Sequence, residues 1–230
     1  MSLSGRYIRG FGDRIGGLSR SPPIWLKRLF LGAAVGAMAN AAGQLGTFLF
    51  GIYIARALGV ANFGLWAVVY STLLTAVGLS TLSITVGAAR FSAALDGNDD
   101  VAAAKGLQAV GTISSGLAAI VAIGLLIGAD ILATRALGLP EAAPLLRLGS
   151  CFVLLNSLTS FWFGVVAGRE AYRLLLVNNL VGTAILLAIG VPAVQLCGMA
   201  GAVVALALSA ATVLWLTRRS GRRLVPSLKS

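Results

Sequence analysis

The chain has 230 residues, of which 58% are hydrophobic and only 11% are charged, and its mean hydropathy is +0.92. Soluble domains carry about a quarter charged residues, so this composition excludes an ordinary soluble domain and indicates an integral membrane protein. The net charge of +11 comes from 18 basic and 7 acidic residues, and the sequence contains no histidine.

Long apolar segments without charges follow one another along the chain. A membrane-spanning helix needs about 20 such residues. Unbroken runs of this length indicate helices rather than the alternating strands of a membrane barrel. Basic tails at 1–28 and 218–230 flank the predicted spans, which are 29–54, 63–89, 106–130, 145–168, 174–195 and 198–217.

The last apolar run, Leu174–Thr217, is too long for a single span. As one straight helix it would measure about 66 Å, roughly twice the 30 Å hydrocarbon core. We predict that it folds back at residues 195–198, just after Pro192. The sequence therefore predicts an all-α integral membrane protein, a bundle of six transmembrane helices.

The basic residues predict the orientation of these spans, because short cytoplasmic loops are enriched in Lys and Arg. With both termini in the cytoplasm, all of the 18 basic residues lie on the inner side except Arg56, Arg135 and Arg147. Nucleic-acid binding is the alternative interpretation of a charge of +11. The basic residues are dispersed along the membrane edges, so we interpret the charge as a topology signal and expect no nucleic-acid partner.

The absence of certain residue types from the sequence excludes several kinds of catalytic and metal site. Without histidine there is no Ser–His nucleophile and no histidine metal site. The acidic residues all fall in tails, loops or span ends, which leaves no carboxylate pair within the membrane for acid–base catalysis. Cys151 and Cys197 are isolated, so neither a disulfide nor a metal site is expected. We expect no catalytic residues, no cofactor and no enzymatic activity.

Uncharged polar residues instead recur at helical spacing. Asn40, Gln44 and Thr47 fall at i, i+4 and i+7 of the first span, on one face. Similar rows are Ser71 with Thr75, Gln108 with Thr112 and Ser115, Asn156 with Ser160, Asn178 with Gly182, and Asn179 with Thr183.

Two interpretations of these rows stay open. They could line a hydrated cavity, or they could hold helices together, as small and polar residues do in bilayers. The pairs Gly32 with Gly36, Gly124 with Gly128, and Gly164 with Gly168 favour close packing directly. For the cavity, the candidate substrate-binding residues are Asn40, Gln44, Gln108 and Asn178.

Short motifs at the span ends carry a family resemblance. The stretch IARALG at 54–59, followed by FGLW at 63–66, resembles the first hairpin of the polysaccharide-transporter branch of the multidrug/oligosaccharidyl-lipid/polysaccharide flippase superfamily. Gly78 and Leu79 followed by Arg90, GREAYR at 168–173 followed by Asn178, and GMAGA at 198–202 resemble later parts of the same lobe. The resemblance covers residues 29–217.

The resemblance implies a function and a partner. Members have two six-helix lobes that rock around a central cavity, and they flip lipid-pyrophosphate-linked oligosaccharides across the bacterial inner (plasma) membrane. Because members are about twice as long as this chain, the resemblance implies that the chain supplies the N-terminal lobe. It could be a fragment, a truncated product, or a half that pairs with a second lobe. Membrane lipids and a lipid-linked oligosaccharide are the expected partners.

Two arginines complete the candidate site. Arg56 could snorkel to the outer surface and bind lipid phosphates or a lipid-linked pyrophosphate. Alternatively, it only anchors the end of the first span. Arg90, at the predicted cytoplasmic end of the second span, could face either the cavity or the lipid headgroups.

Two further functions stay open at this point. A drug or cation antiporter of the same superfamily would need a membrane carboxylate, and no acidic residue lies in the middle of any of the six predicted spans. A membrane scaffold that transports nothing would lack a hydrated cavity.

Overall fold

A computed structural model describes residues 24–81, 84–95 and 100–225, and every regular element in these ranges is helical. The helices are α1 (Ile24–Thr81), α2 (Ile84–Ala94), α3 (Asp100–Ile131), α4 (Ala142–Gly168) and α5 (Tyr172–Leu224), and a π-helical turn, Leu132–Ala136, extends α3. Four of them, α1, α3, α4 and α5, contain segments long and apolar enough to cross a membrane. The protein is therefore an all-α, multi-pass membrane protein, as the composition predicts.

Helix α1 folds back on itself at Gly59, where φ is 83° and ψ is 170°. We call the segments on either side α1a (24–58) and α1b (60–81). The ring centroids of Phe50 and Trp66 are 5.8 Å apart, whereas a straight helix would separate these residues by about 24 Å. The hairpin depends on a glycine because a side chain strains this backbone conformation.

Helix α5 forms a second hairpin, which turns at Gly198 with φ 58° and ψ −132°. We call its segments α5a (172–197) and α5b (199–224). Asn178 Nδ2 on α5a donates a hydrogen bond of 3.3 Å to Thr217 Oγ1 on α5b. In a straight helix these residues would be about 58 Å apart. The fold-back predicted at residues 195–198 is confirmed.

The helix bounds differ from the predicted spans in three places. The predicted second span, 63–89, is divided between α1b, which ends at Thr81, and α2, which begins at Ile84. Helix α5 continues to Leu224, so the segment predicted as a basic tail from residue 218 starts as helix. The basic tail predicted at 1–28 lies outside the described residues as far as residue 23, and α1 begins at Ile24.

Helix α4 packs against each of the other four helices. Its glycines let α2 approach closely, since a Cβ added at Gly164 or Gly168 would overlap the backbone of α2 at Thr85 or Ala89. Ser92 Oγ on α2 also donates to the carbonyl of Val165 at 2.9 Å. The packing role predicted for Gly164 and Gly168 is thus confirmed.

The pair Gly124 and Gly128 behaves differently. A Cβ added at either position would have no described atom within 4 Å. These two glycines therefore hold no pair of helices together within the described chain. The predicted pair of Gly32 with Gly36 cannot be compared in the same way, because the side-chain surroundings of residue 32 lie outside the described residues.

The connections between the helical segments lie at two opposite ends of the bundle. Near one end, a single apolar cluster joins residues beside the turns at Gly59 and Gly198 and beside the α3–α4 connection, among them Ile54, Ala142 and Val194. Near the other end, Leu95, Ala103 and Val225 share a second cluster, and Ala171 packs with Leu224 against a third. Segments α1a, α3 and α5a therefore run toward the end with the glycine turns, and α1b, α2, α4 and α5b run away from it.

We expect Gly164→Ala to destabilise the fold by about 1–3 kcal/mol, because the new methyl group would overlap the carbonyl of Thr85. Gly124→Ala is the matched control, since its methyl group meets no neighbour. Thermal unfolding of the two purified variants in detergent measures the difference. Equal melting temperatures would contradict the packing role of Gly164.

Candidate functional site

A central cavity of about 270 Å³ lies between α1, α4 and α5. Side-chain amides and hydroxyls make up much of its lining: Asn40, Gln44, Thr47, Tyr70, Asn156, Thr159, Asn179, Thr183 and Ser209. The rest of the wall is apolar and consists of Gly43, Leu74, Phe152, Gly182, Leu186, Leu206, Ala210 and Val213. Among the described residues, no charged side chain lines this cavity, so it suits a polar, hydroxyl-rich ligand rather than a compact ion.

The row predicted on the first span supplies one wall of the cavity. Asn40, Gln44 and Thr47 lie on one face of α1a, and all three line the cavity. The Thr47 hydroxyl donates to the carbonyl of Gly43 on its own helix at 3.1 Å. Within the described chain, the amides of Asn40, Gln44 and Asn156 form no hydrogen bond to another residue. These three amides are therefore available to a ligand.

Helix α5a is fixed against α1a by two of the lining residues. Asn179 Nδ2 donates to the carbonyl of Ala39 at 3.0 Å, and Thr183 Oγ1 donates to the carbonyl of Ala42 at 3.5 Å. Gly46 makes room for this contact, because a Cβ there would overlap Thr183. Because this contact uses only Nδ2, the side-chain oxygen of Asn179, Oδ1, can still accept a hydrogen bond from a ligand in the cavity.

An apolar groove of about 520 Å³ adjoins the cavity between α1a and α1b. Gln44, Thr47 and Tyr70 line both spaces. The Trp66 ring, which stacks on Tyr70 with 5.6 Å between centroids, forms part of the groove wall. Exposed Arg56 lies in the groove lining beside the Gly59 turn. A polar cavity thus continues into an apolar groove that carries one guanidinium.

The structure places three predicted site residues elsewhere. Gln108 lines a separate groove with Thr112 and Ser115, so the expectation that it shares one space with Asn40 and Gln44 is wrong. Asn178 is buried against Thr217, and its neighbour Asn179 lines the cavity instead. Arg90 is exposed on α2 and lines neither the central cavity nor the adjoining groove.

Several hydroxyls of the predicted rows are satisfied by their own helices. Thr75 donates to the carbonyl of Ser71 at 2.9 Å, Thr112 to that of Gln108 at 3.0 Å, and Ser115 to that of Thr112 at 2.9 Å. Such back-bonds are common for Ser and Thr inside helices. These hydroxyls therefore form hydrogen bonds within their own helices and are not needed to explain the cavity. The polar groups left for a ligand are mainly the side-chain amides.

Sequence reasoning did not single out some lining residues. Asn156, Asn179 and Thr183 were visible as members of polar rows, but helical spacing alone does not separate Asn178 from Asn179. Tyr70 and Ser209 belong to no row that indicated a cavity. Their place depends on which face of α1b and α5b meets the neighbouring helices, and spacing within one helix does not reveal that.

The fold and the cavity define a multi-pass helical membrane protein with a polar, uncharged central site. A family model described as polysaccharide biosynthesis protein matches residues 29–223, which is most of the chain. The chain belongs to the polysaccharide biosynthesis protein family, and the resemblance carried by the hairpin motifs is confirmed. Comparisons with curated proteins and with solved structures found no significant match.

We expect cysteines introduced by Asn40→Cys, Gln44→Cys and Asn156→Cys to react with a water-soluble maleimide, because these positions line a polar cavity. The native Cys151 and Cys197 are both exposed and must first be replaced by serine. The control is Ile120→Cys, whose side chain points outward from α3 and is 69% exposed on the protein.

Labelling is measured as the fraction of protein modified in membranes. A control that reacts as fast as the three cavity positions would contradict a hydrated cavity. Three unreactive cavity positions in a folded protein would contradict it equally.

Proposed function

We propose that this protein is one lobe of a transporter that flips lipid-pyrophosphate-linked oligosaccharides across the bacterial inner membrane. The observation that supports this most is the union of the polar cavity and the apolar groove through Gln44, Thr47 and Tyr70. A lipid-linked sugar is amphiphilic, so it needs a polar site for the sugar beside an apolar path for its hydrocarbon chain. Membership of the polysaccharide biosynthesis family points to the same substrate class.

In this proposal each part of the site has one task. The amides of Asn40, Gln44 and Asn156 exchange hydrogen bonds with sugar hydroxyls, since an amide both donates and accepts. The groove walls hold the lipid chain, and Arg56 binds a phosphate oxygen pair through its planar guanidinium. No bond is made or broken, so we propose a transporter and not an enzyme.

A second lobe completes the site in this proposal. The cavity of about 270 Å³ is slightly smaller than the pockets of about 300–1,000 Å³ that enclose ordinary ligands. It is lined from α1, α4 and α5, which form part of this lobe. We propose that a facing lobe encloses the rest of the oligosaccharide and that the two lobes rock around it.

We further propose six spans with both termini in the cytoplasm. Each hairpin, α1 and α5, contributes two antiparallel segments, and in this proposal α1b and α2 together make up the second span. The end of the bundle opposite the glycine turns carries Arg90, Lys105, Arg169, Arg173 and the arginines of α5b. The other end carries Arg56, Arg135 and Arg147, of which Arg147 pairs with Asp130. This asymmetry supports a cytoplasmic position for the first end, because cytoplasmic loops are enriched in Lys and Arg.

The two alternative functions have less support. An antiporter of drugs or cations needs a carboxylate at its binding site. The described acidic side chains, Asp130, Glu141 and Glu170, are all exposed, and none lines the central cavity. A scaffold that transports nothing would not need a polar cavity, so that function does not explain the three unpaired amides that face it.

Deletion of the gene tests the proposed function. We expect loss of a surface glycan and accumulation of its lipid-linked precursor on the cytoplasmic face, because synthesis continues while flipping stops. The measurements are surface glycan by immunoblot or lectin binding, and the lipid-linked precursor by mass spectrometry of membrane extracts. Loss of the precursor itself would instead indicate a role in its synthesis and would contradict transport.

We expect Arg56→Ala to lower glycan export about tenfold, because the lost contact is a charge-assisted one to phosphate. The Arg56→Lys variant should retain little export if recognition of phosphate is bidentate, and should retain most of it if only the positive charge matters. The measurement is surface glycan per unit of protein in the membrane. Arg135→Ala, also at the end with the glycine turns but outside the groove, is the matched control. Normal export by Arg56→Ala would leave Arg56 as an anchor only.

The topology can be tested with the native Cys197, which is exposed beside the Gly198 turn. In a variant without Cys151, we expect Cys197 to react in intact cells with a thiol reagent that does not cross membranes. A cysteine introduced by Arg173→Cys, at the opposite end, should react only after the cells are opened. Reporter fusions after Ser19, Asp99, Glu141 and Arg173 should report inside, inside, outside and inside. The reverse pattern at Cys197 and Arg173→Cys would overturn the orientation.

A further inference from the structure

A second groove, about 570 Å³ in volume, lies over α4 between α3 and α5b and shares no residue with the central cavity. Leu158, Phe161 and Trp162 of α4 contribute its apolar floor. Gln108 and Ser115 line the α3 side, and Arg218 and Arg222 line the α5b side. The groove is therefore amphipathic, with apolar residues along α4 and two guanidiniums at its basic end.

The arginines form part of a rigid basic strip. Arg218 and Arg222 are four residues apart on α5b, which remains helical to Leu224, so they lie on the same face. A second, shallow depression of about 510 Å³ continues from them and is lined by Trp215, Arg218, Arg219, Arg222 and Arg223. The Arg219 guanidinium lies 5.3 Å from the centre of the Trp215 ring. In the described chain, the single ion pair is Arg147 with Asp130, so these four charges have no acidic partner there.

One buried polar atom also points to a ligand in the groove. Ser114 is 1% exposed and lines the groove, and its hydroxyl has no hydrogen-bond partner in the described residues. The neighbouring hydroxyls of Thr112 and Ser115 are both satisfied by their own helix. Buried hydroxyls in proteins nearly always have a partner, and a molecule bound in the groove would supply the one that Ser114 lacks.

We propose that this groove binds one anionic phospholipid of the surrounding bilayer. Its phosphate sits between Arg218 and Arg222, and its acyl chain lies on the apolar floor formed by Leu158, Phe161 and Trp162. Basic pockets between transmembrane helices at the cytoplasmic surface are suited to anionic headgroups. The occupant is a bilayer lipid and not the transported one, because the groove is separate from the cavity and groove of the proposed transport path.

Native mass spectrometry of the purified full chain in detergent tests the proposal. The added lipids are phosphatidylglycerol, phosphatidylcholine with the same acyl chains, and a polyprenyl monophosphate. We expect one phosphatidylglycerol to bind more tightly than either of the other two. Equal binding of the first two lipids would overturn an anion-specific site. Tighter binding of the polyprenyl phosphate, with the same dependence on arginine, would assign the groove to the transported lipid and overturn the choice of occupant.

A pair of double variants separates the groove from general surface charge. We expect Arg218→Gln with Arg222→Gln to weaken phosphatidylglycerol binding about tenfold or more, since two charge-assisted contacts are lost. Arg219→Gln with Arg223→Gln removes the same charge from the same helix turns, but neither residue lines the groove. Its loss of affinity should be clearly smaller. Equal losses in the two double variants would overturn a specific site.

Filling the groove gives an independent test that leaves every arginine in place. Ser115→Phe adds a ring on the lining side of α3 and should abolish tight phosphatidylglycerol binding. Ile113→Phe is the control, because Ile113 is 64% exposed on the same helix and does not line the groove. Unchanged binding by a folded Ser115→Phe variant would overturn the placement of the lipid chain.

Discussion

The constraint on which this structure depends is the absence of water in the hydrocarbon core, where backbone polar groups must be satisfied within the protein. The chain therefore stays helical for long stretches and reverses only at a few points. Two of these reversals, at Gly59 and Gly198, occur within a few residues and use positive φ angles that favour glycine. The hairpins they make bring α1a against α1b and α5a against α5b, and the central cavity lies where both hairpins meet α4.

The same constraint sorts the polar side chains into two groups. Hydroxyls can return to a carbonyl of their own helix, and most of the Ser and Thr residues of the polar rows do so. Side-chain amides have two donors and an acceptor, which exceeds what their own helix offers. Asn178 and Asn179 meet this need by contacts between helical segments, whereas Asn40, Gln44 and Asn156 face the cavity. The chemistry of the site is consequently that of amides, which suits a neutral, hydroxylated ligand.

In the part of the chain that the structure describes, charged side chains lie toward the two ends of the bundle, and none lines the central cavity. Arg56 adds one guanidinium to the apolar groove that adjoins the cavity, and the arginines of α5b lie at the opposite end beside a different groove. In the two proposals, a substrate and a bilayer lipid are recognised at separate sites by the same chemistry, a guanidinium beside an apolar groove. Because the two grooves share no residues, each can be altered by substitution without changing the lining of the other.

Much of this protein follows from the sequence alone. Uncharged runs longer than a bilayer, glycines at the turns and the motifs at the span ends were sufficient to predict helices, both hairpins and the family. Spacing also placed Asn40, Gln44 and Thr47 on one face of α1a, because the period of a helix is fixed by its backbone. The helical period shows which residues share one face of a helix. It does not show which other helix that face will contact.

The tertiary structure decided the rest through the rotation and packing of each helix. It turned Asn179 rather than Asn178 toward the cavity and placed Gln108 in a separate groove. It also packed Gly164 and Gly168 against α2 while leaving Gly124 and Gly128 without a neighbour, although all four share the same spacing. The physical reason is that a contact between helices depends on the shape of both surfaces, and the partner surface comes from a distant part of the chain.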